Sequence, residues 1–581
     1  MSARTSPAPA QAPGVPAVPA AAPGTGRAVG RLALRQVRRS GLAALLVAVA
    51  LTATVAASFD ALAADPATLA GLLAVAQNPA VRTLFGEPVA LETAGGFTVW
   101  RSGTPVAVLL GAWAALATAR TTRGEEEAGR WNLLLAGPVR LRTAVGRHLL
   151  AVAAVVTAAG AALAAALVLT GTPPGGAAVH GAGVAALGLF SAALAALAAQ
   201  VLGTRSAAAG AAVAVLGAGL LARAVANGVP GWAGLRWVSP FGLLELSRPY
   251  AQDRVLPVLL LLAAAAALAA GALALAGRRD VGEGLLARPA HRRARTALLG
   301  SVEGFAVHRC LRPLVGWSAG VGAYYLLIGT TATAVTEFLA QDAAVGELAG
   351  QAGFSALDSV RGFTATVFSL LPVPVGVFAA VRIAALVSAE PDRRLALLAA
   401  EPVGRVRLLG TEAAVAASGV LALLTVAGLA TWAGVAASGG GLTLPESLRG
   451  TWSTAPVALL CLGAAVLAAG WLPSVTALIG SLPAAGGFLL LVLADSTGAP
   501  SWVSDLSPFA HLAPVPLEPA DTAAALVMTL VAVLLAVAGA AGYRRRDLLW
   551  GGGGGGPAPP PGRPPRPPPP PARVRLRTAR A

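Results

Sequence analysis

The feature that most limits what this chain can become is the recurrence of apolar runs of about twenty residues, the length a helix needs to cross the hydrocarbon core of a bilayer. Such runs fall near 41–57, 104–119, 147–169, 181–203, 207–226 and 255–277, and again near 314–336, 362–386, 409–435, 454–472, 474–494 and 523–543. Lipid offers no partner to a backbone N–H or C=O, so a spanning segment must satisfy its own polar groups. The expected fold is therefore an all-α polytopic membrane protein of about twelve transmembrane helices. Around Leu472 and Pro473 the pattern also allows one re-entrant hairpin in place of two spans.

Composition agrees with this reading: 56% of residues are hydrophobic, only 12% are charged, and the mean hydropathy of +0.71 excludes a soluble globule. The net charge of +17 raises the question of nucleic acid. Lysine is absent, and the arginines are shared among short loops without the basic-aromatic patches that read bases, so no nucleic-acid partner is expected. A topology with both termini in the cytoplasm puts most of the arginines on that one side, which is what the positive-inside rule demands.

The chain divides into an Ala/Pro-rich N-terminus (1–27), a first six-span half (28–277), a basic cytoplasmic connector (278–313), a second six-span half (314–546) and a Gly/Pro/Arg-rich tail (547–581). Residues 59–103 read as an outer loop of acids and small residues. The two ends lack periodicity and are expected to be disordered. Ordered polar landmarks say that the halves are copies. Arg35 and Arg38 precede the first span as Arg309 and Arg312 precede the seventh. Glu126, Arg130, Leu134 and Pro138 match Glu390, Arg394, Leu398 and Pro402. Ser239-Pro240-Phe241 before the sixth span returns as Ser507-Pro508-Phe509 before the twelfth, and Arg278-Arg279-Asp280 returns as Arg545-Arg546-Asp547. Copies of the same orientation should form a parallel pseudo-dimer about an axis along the membrane normal.

Between the second and third spans lies the most densely charged stretch of the body, Arg120 to His148. It reads as a short capped helix. Thr122 and Glu125 have capping-box spacing, Glu125, Glu126 and Glu127 crowd the positive end of the helix dipole, and Glu126 and Arg130 stand at the pairing distance of four. Gly137 and Pro138 stop the helix, and Trp131, Leu134 and Leu135 give it one apolar face. The second half carries the same grammar from Val387 to Glu412.

Catalytic chemistry is hard to place on this chain. A nucleotide-binding P-loop needs a lysine to reach the phosphates, and nucleophile elbows and HExxH helices are missing as well. Cys310, Cys461 and the five scattered histidines have no metal-ligand spacing. Hence no catalytic residue, metal or cofactor is expected, and an embedded enzyme or scaffold lacks a polar cluster to work with. Ionisable residues are scarce within the spans. Arg223 and Arg382 fall near span ends, from which they can snorkel, and this disfavours a carrier that couples transport to an ion gradient through charge at membrane depth. Small residues fill the spans and allow close helix packing.

The stretch GEEEAGRWNLLLAGPVRLR, Gly124 to Arg142, resembles the loop between the second and third spans of ABC-2 type transporter permeases, and the two fused halves are similar to actinobacterial exporters of polyketide antibiotics. That resemblance implies a permease subunit in the bacterial plasma membrane that moves a hydrophobic, polyketide-like or drug-like solute outward. It implies a separately encoded ABC ATPase, acting as a dimer and holding the ATP and magnesium, whose closure is received by a coupling helix in each half. By position the coupling role falls on Glu125, Glu126, Glu127, Gly129, Arg130, Leu134, Pro138, Val139 and Arg140, and in the second half on Glu390, Asp392, Arg394, Leu398, Pro402 and Arg405. The second copy departs from the pattern, since Pro391 interrupts its acids and Arg393 stands where the first half has glycine. A major-facilitator carrier, also six plus six, is the alternative. Glu390 to Arg394 resembles that family's aspartate-arginine loop, but the first half has no such pair.

Overall fold

The structure is a computed structural model, and it describes residues 25–546 except 78, 230, 287–297, 342–358, 391–402 and 498. Among the described residues it is helical throughout, without a strand. The first half runs α1 (Thr25–Ala57), α2 (Phe59–Ala63), α3 (Pro66–Ala76), α4 (Pro79–Phe85), α5 (Ala94–Ala119), α6 (Glu125–Glu127), α7 (Arg130–Leu135), α8 (Leu141–Leu169), α9 (Pro174–Val201), α10 (Arg205–Gly228), α11 (Pro240–Leu246) and α12 (Leu256–Ala276). The second half begins with α13 (Val302–Gln341), α14 (Val360–Ser369), α15 (Pro372–Ala389) and α16 (Arg405–Ala437). It continues with α17 (Leu444–Trp452), α18 (Ala455–Trp471), α19 (Thr476–Ser481), α20 (Gly487–Thr497), α21 (Ser501–Ser504) and α22 (Thr522–Arg545).

Eleven helical stretches among the described residues are long and apolar enough to cross a membrane. The one expected span not among them, the seventh, near 314–336, lies inside α13, a continuous 40-residue helix whose apolar content is diluted by Tyr324, Tyr325 and four threonines. At Leu472 the chain breaks between α18 and a second apolar stretch, Pro473–Ala494, an arrangement that two spans and one hairpin share. The loop expected from 59 to 103 folds into α2, α3 and α4, and its last ten residues begin α5. Each of the first three is too short to read as a span, and their apolar residues Phe59, Leu72 and Val81 enter the largest buried cluster, beside Tyr325 and Phe368 of the second half.

Packing repeats between the halves as the landmarks do. Helix α1 lies on α8 as α13 lies on α16, and α5 on α9 as α15 on α18. Helix α9 also packs on α10 and α12 as α18 packs on α19 and α22. Small residues make these approaches close. A Cβ added at Gly160 would stand 2.4 Å from the Gly181 carbonyl across α8 and α9, and one at Gly329 would stand 2.4 Å from the Thr431 carbonyl across α13 and α16. The halves touch where α4 and α10 meet α13, and where α1 meets α20.

The Ser-Pro-Phe landmark proves to be a joint. Ser239 Oγ donates to the Gly219 carbonyl at 2.6 Å and accepts from the Gly242 N–H at 3.0 Å, capping α11 onto the side of α10. Ser507 Oγ does the same with the Gly487 carbonyl at 2.8 Å and the Phe509 N–H at 3.2 Å. The proline of each motif fills the space that a side chain on that glycine would need: a Cβ at Gly219 would stand 2.9 Å from Pro240, and one at Gly487 would stand 2.8 Å from Pro508.

Candidate coupling site

Helix α5 does not end where the charged stretch begins. Thr121 and Thr122 donate back to the carbonyls of Ala117 at 2.9 Å and Thr118 at 2.6 Å, and the backbone passes through a π-turn at Arg120–Gly124 straight into α6. Thr122 is therefore inside the helix and its hydroxyl is used, so the capping box expected with Glu125 does not form; no helix begins there for it to cap. Gly129, at φ +72°, makes the turn into α7, a backbone state that costs an L side chain roughly 1–2 kcal/mol.

The acids then part company. Glu125 takes Arg130 in a bidentate pair, with Nε at 2.6 Å and Nη2 at 2.7 Å. The Glu126–Arg130 pair expected from the spacing of four is absent, because Glu126 points into the protein, where it is only 6% exposed. There its two oxygens accept from Arg279 Nη1 at 2.6 Å and Nη2 at 2.7 Å, Oε1 also accepts from the Gly282 N–H at 2.7 Å, and Arg123 Nη1 stands 3.1 Å from Oε2. Both guanidiniums are further held. Arg123 donates to the carbonyls of Glu283 and Gly282, and Arg279 donates through Nε to Gln200 Oε1 at 2.8 Å. A carboxylate that accepts a bidentate guanidinium plus a backbone N–H has what burial of charge requires.

Around this clasp the remaining predicted residues line up on one short surface. Glu127 is exposed and accepts from the Arg205 N–H at 3.1 Å. Leu134 and Val139, together with Leu135 and Leu141, pack on Trp131 and on Ala144, Val145 and Ala276. The apolar face expected of Trp131, Leu134 and Leu135 is therefore real. Helix α7 stops at Leu135, ahead of Gly137 and Pro138, and Arg140 occupies the N-cap position of α8, exposed and without a side-chain cap. Leu133 is 83% exposed at the tip, and the Arg130 side chain is 60% exposed beside it.

In the second half, Glu390 sits at the end of α15 and is likewise buried. It accepts from the Tyr543 hydroxyl at 2.8 Å and from Arg546 Nη2, while Arg546 Nη1 donates to the Ala469 carbonyl at 2.9 Å. Arg405 reaches the same knot, donating to the Arg546 carbonyl at 2.6 Å. Asp392, Arg394, Leu398 and Pro402 lie outside the described residues. The two clasps thus share a carboxylate at the end of the second span and an arginine after the sixth, and they differ in the third partner, a guanidinium and an N–H in one and a phenol in the other. Along the sequence Glu126, Glu390, Arg279 and Arg546 stand in separate landmarks. The signal that they belong together was their shared duplication.

Two arginines assigned to snorkelling positions are also turned inward. Arg223 is 4% exposed, with Nε 3.1 Å from Glu245 Oε2, and Arg382 is 6% exposed beside Glu412, which Arg309 also engages at 2.7 Å. Each has an acid within reach that lies on another helix, and a paired charge gains little by reaching for the membrane surface.

Comparison with known proteins gives the class. Residues 299–544 match the family model described as "Multidrug efflux system permease Rv1217c, C-terminal domain". The chain is also 31% identical, over 492 residues, to the multidrug efflux system permease protein Rv1217c of Mycobacterium tuberculosis, an alignment that covers 83% of this chain and 88% of that protein. The chain belongs to this permease family. Membership makes it a multi-pass membrane protein and a transport subunit of an exporter, in keeping with an ABC-2 type permease. The family model's match includes Glu390, Glu412 and Tyr543 and ends just before Arg546, so it covers most of the second clasp.

Proposed function

We propose that this chain is the membrane subunit of an ATP-driven exporter, that it carries no nucleotide site of its own, and that a separately encoded ABC ATPase, working as a dimer with ATP and magnesium, drives it from the cytoplasm. It sits in the bacterial plasma membrane with both termini inside. The observation that carries this reading is the paired clasp. A push on the exposed tip at Arg130 and Leu133 meets a short helix anchored by Trp131 and by Glu126, and the Glu126–Arg279 link passes the displacement from the end of α5 to the segment after α12. Glu390 and Arg546 offer the same link between α15 and α22, so closure of one dimeric motor would move equivalent helices in both halves. The name of the M. tuberculosis relative speaks of multidrug efflux, and together with the apolar, small-residue-rich spans it supports a hydrophobic polyketide-like or drug-like solute as cargo here.

The test is charge reversal at both anchors, Glu126→Arg with Glu390→Arg, in cells that co-express the ABC ATPase proposed as its partner. Membrane insertion should persist while co-purification of the ATPase and export both fall. Unchanged co-purification and export would remove the proposal. Collapsing the proton gradient while ATP is maintained should leave export intact; loss of export would point instead to a major-facilitator mechanism.

A further inference from the structure

Each half holds a cavity at the end of its bundle opposite the clasp, about 33 Å along the second-span helix at 1.5 Å per residue, and the two cavities are copies with different linings. In the register that aligns Ser239 with Ser507, Phe241 corresponds to Phe509, Leu244 to Leu512, Arg223 to Leu491 and Glu245 to Ala513, and all eight residues line their respective cavities. The first-half cavity is crossed by charge. Arg223 and Glu245 pair within it, Asn227 donates to Glu245 at 2.9 Å, and Glu87 bridges Arg236 and Arg248 at its rim. Only about 60 Å³ remains open.

In the second half the ion pair has been replaced by leucine and alanine, and the open volume is about 250 Å³. Its lining has no charged side chain. The hydroxyls in its wall are spent on their own helices: Thr366 donates to Gly362 at 3.0 Å, Ser369 to Thr366, Ser453 to Gly450 and Thr454 to Thr451, the last three at 2.7 Å. What faces the space is therefore mostly aromatic and aliphatic. Phe488 and Phe509 meet edge-to-face at 5.7 Å, with Phe368 beside them. A wall with no charge and no free donor penalises any polar guest that gives up its water, and an apolar cavity of ~150 Å³ already suffices for benzene.

We propose that the second-half cavity is a binding site for an uncharged aromatic ring system of one or two fused rings, either a small molecule or a ring of a larger one, and that the Arg223–Glu245 pair closes the corresponding site in the first half. This goes beyond the coupling reading and does not depend on it. The full chain in lipid nanodiscs is irradiated with 1-azidonaphthalene, and the labelled peptides are mapped. Label should concentrate on the peptides carrying Phe368, Phe488 and Phe509, and excess naphthalene should remove it. Writing the first half's pair into the second, Leu491→Arg with Ala513→Glu, should cut the label by roughly tenfold, the ratio expected when one buried ring loses its apolar contact. If that variant does not fold, Ala513→Phe, which fills the space without charge, carries the same expectation. The reciprocal Arg223→Leu with Glu245→Ala should create a second labelled site. Label spread evenly over lipid-facing helices, label indifferent to the filling substitutions, or label that naphthalene does not displace because a lipid chain already holds the space would each overturn the assignment. No ATPase enters the measurement, so its failure leaves the coupling proposal standing.

Discussion

Glu126 and Arg279 are 153 residues apart in the chain and meet through two parallel N–H···O bonds of 2.6 and 2.7 Å in a site where both side chains are almost fully buried. Removing one partner leaves an uncompensated buried charge, a loss of about 3–5 kcal/mol. Glu126→Ala should therefore lower the melting temperature of the purified protein markedly. Glu127→Ala, one residue on but exposed, should cost no more than about 0.5 kcal/mol. Equal melting temperatures for the two would mean that the clasp holds nothing.

Gly129 separates α6 from α7 at φ +72°. Asparagine visits that region and valine does not, so Gly129→Asn should retain ATPase association and export while Gly129→Val should reduce both by displacing α7, with little change in membrane insertion. The comparison is made by co-purification of the ATPase from equal amounts of inserted protein. Equal behaviour of the two variants would show that the turn is not what positions the exposed tip.

Much of this was readable from the chain. The spans, the duplication and the apolar face at Trp131 follow from apolar runs and landmark order, because lipid leaves a helix few alternatives. Local pairing rules failed where a tertiary partner was stronger. Glu126 had Arg130 in reach along the helix, but Arg279 arrives with two donors in a site sealed from water, and an exposed pair worth a few tenths of a kcal/mol cannot compete with that. Arg223 looked like a snorkelling residue because its acid, Glu245, lies beyond the next loop. The helices between Phe59 and Phe85 leave no mark in the hydropathy pattern because they are too short for a span and their apolar residues belong to a core built with the second half.

Glu87 accepts from Arg236 Nη1 at 2.6 Å and Arg248 Nη2 at 2.8 Å. Burial alone would push its carboxyl up, but the two arginines together outweigh burial and hold it below the usual glutamate range. A depressed folded-state pKa contributes stability that is present above the unfolded value, ~4.3, and is lost as pH falls through the folded value. Acidification from about pH 5 toward pH 3 should therefore destabilise the wild type more steeply than Glu87→Gln, read as melting temperature against pH in detergent. Parallel curves would assign the acid sensitivity elsewhere.

The joint at each Ser-Pro-Phe motif gives a matched pair of tests. Ser239 and Ser507 are fully buried, and each ties its motif to a glycine of a preceding helix, Gly219 of α10 or Gly487 of α20. Replacing either serine by alanine removes an N-cap and a second bond, about 1–2 kcal/mol. Replacing Gly219 or Gly487 by alanine keeps those bonds but drives a methyl against Pro240 or Pro508, at a cost of about 1–3 kcal/mol for overpacking. If the motif is one joint, the serine and glycine substitutions within a half should fall short of additivity by more than 0.5 kcal/mol, while a serine change in one half and a glycine change in the other should simply add. Additivity everywhere would mean that the motif is two independent contacts, and that its repetition in the second half records shared ancestry without a shared mechanical role.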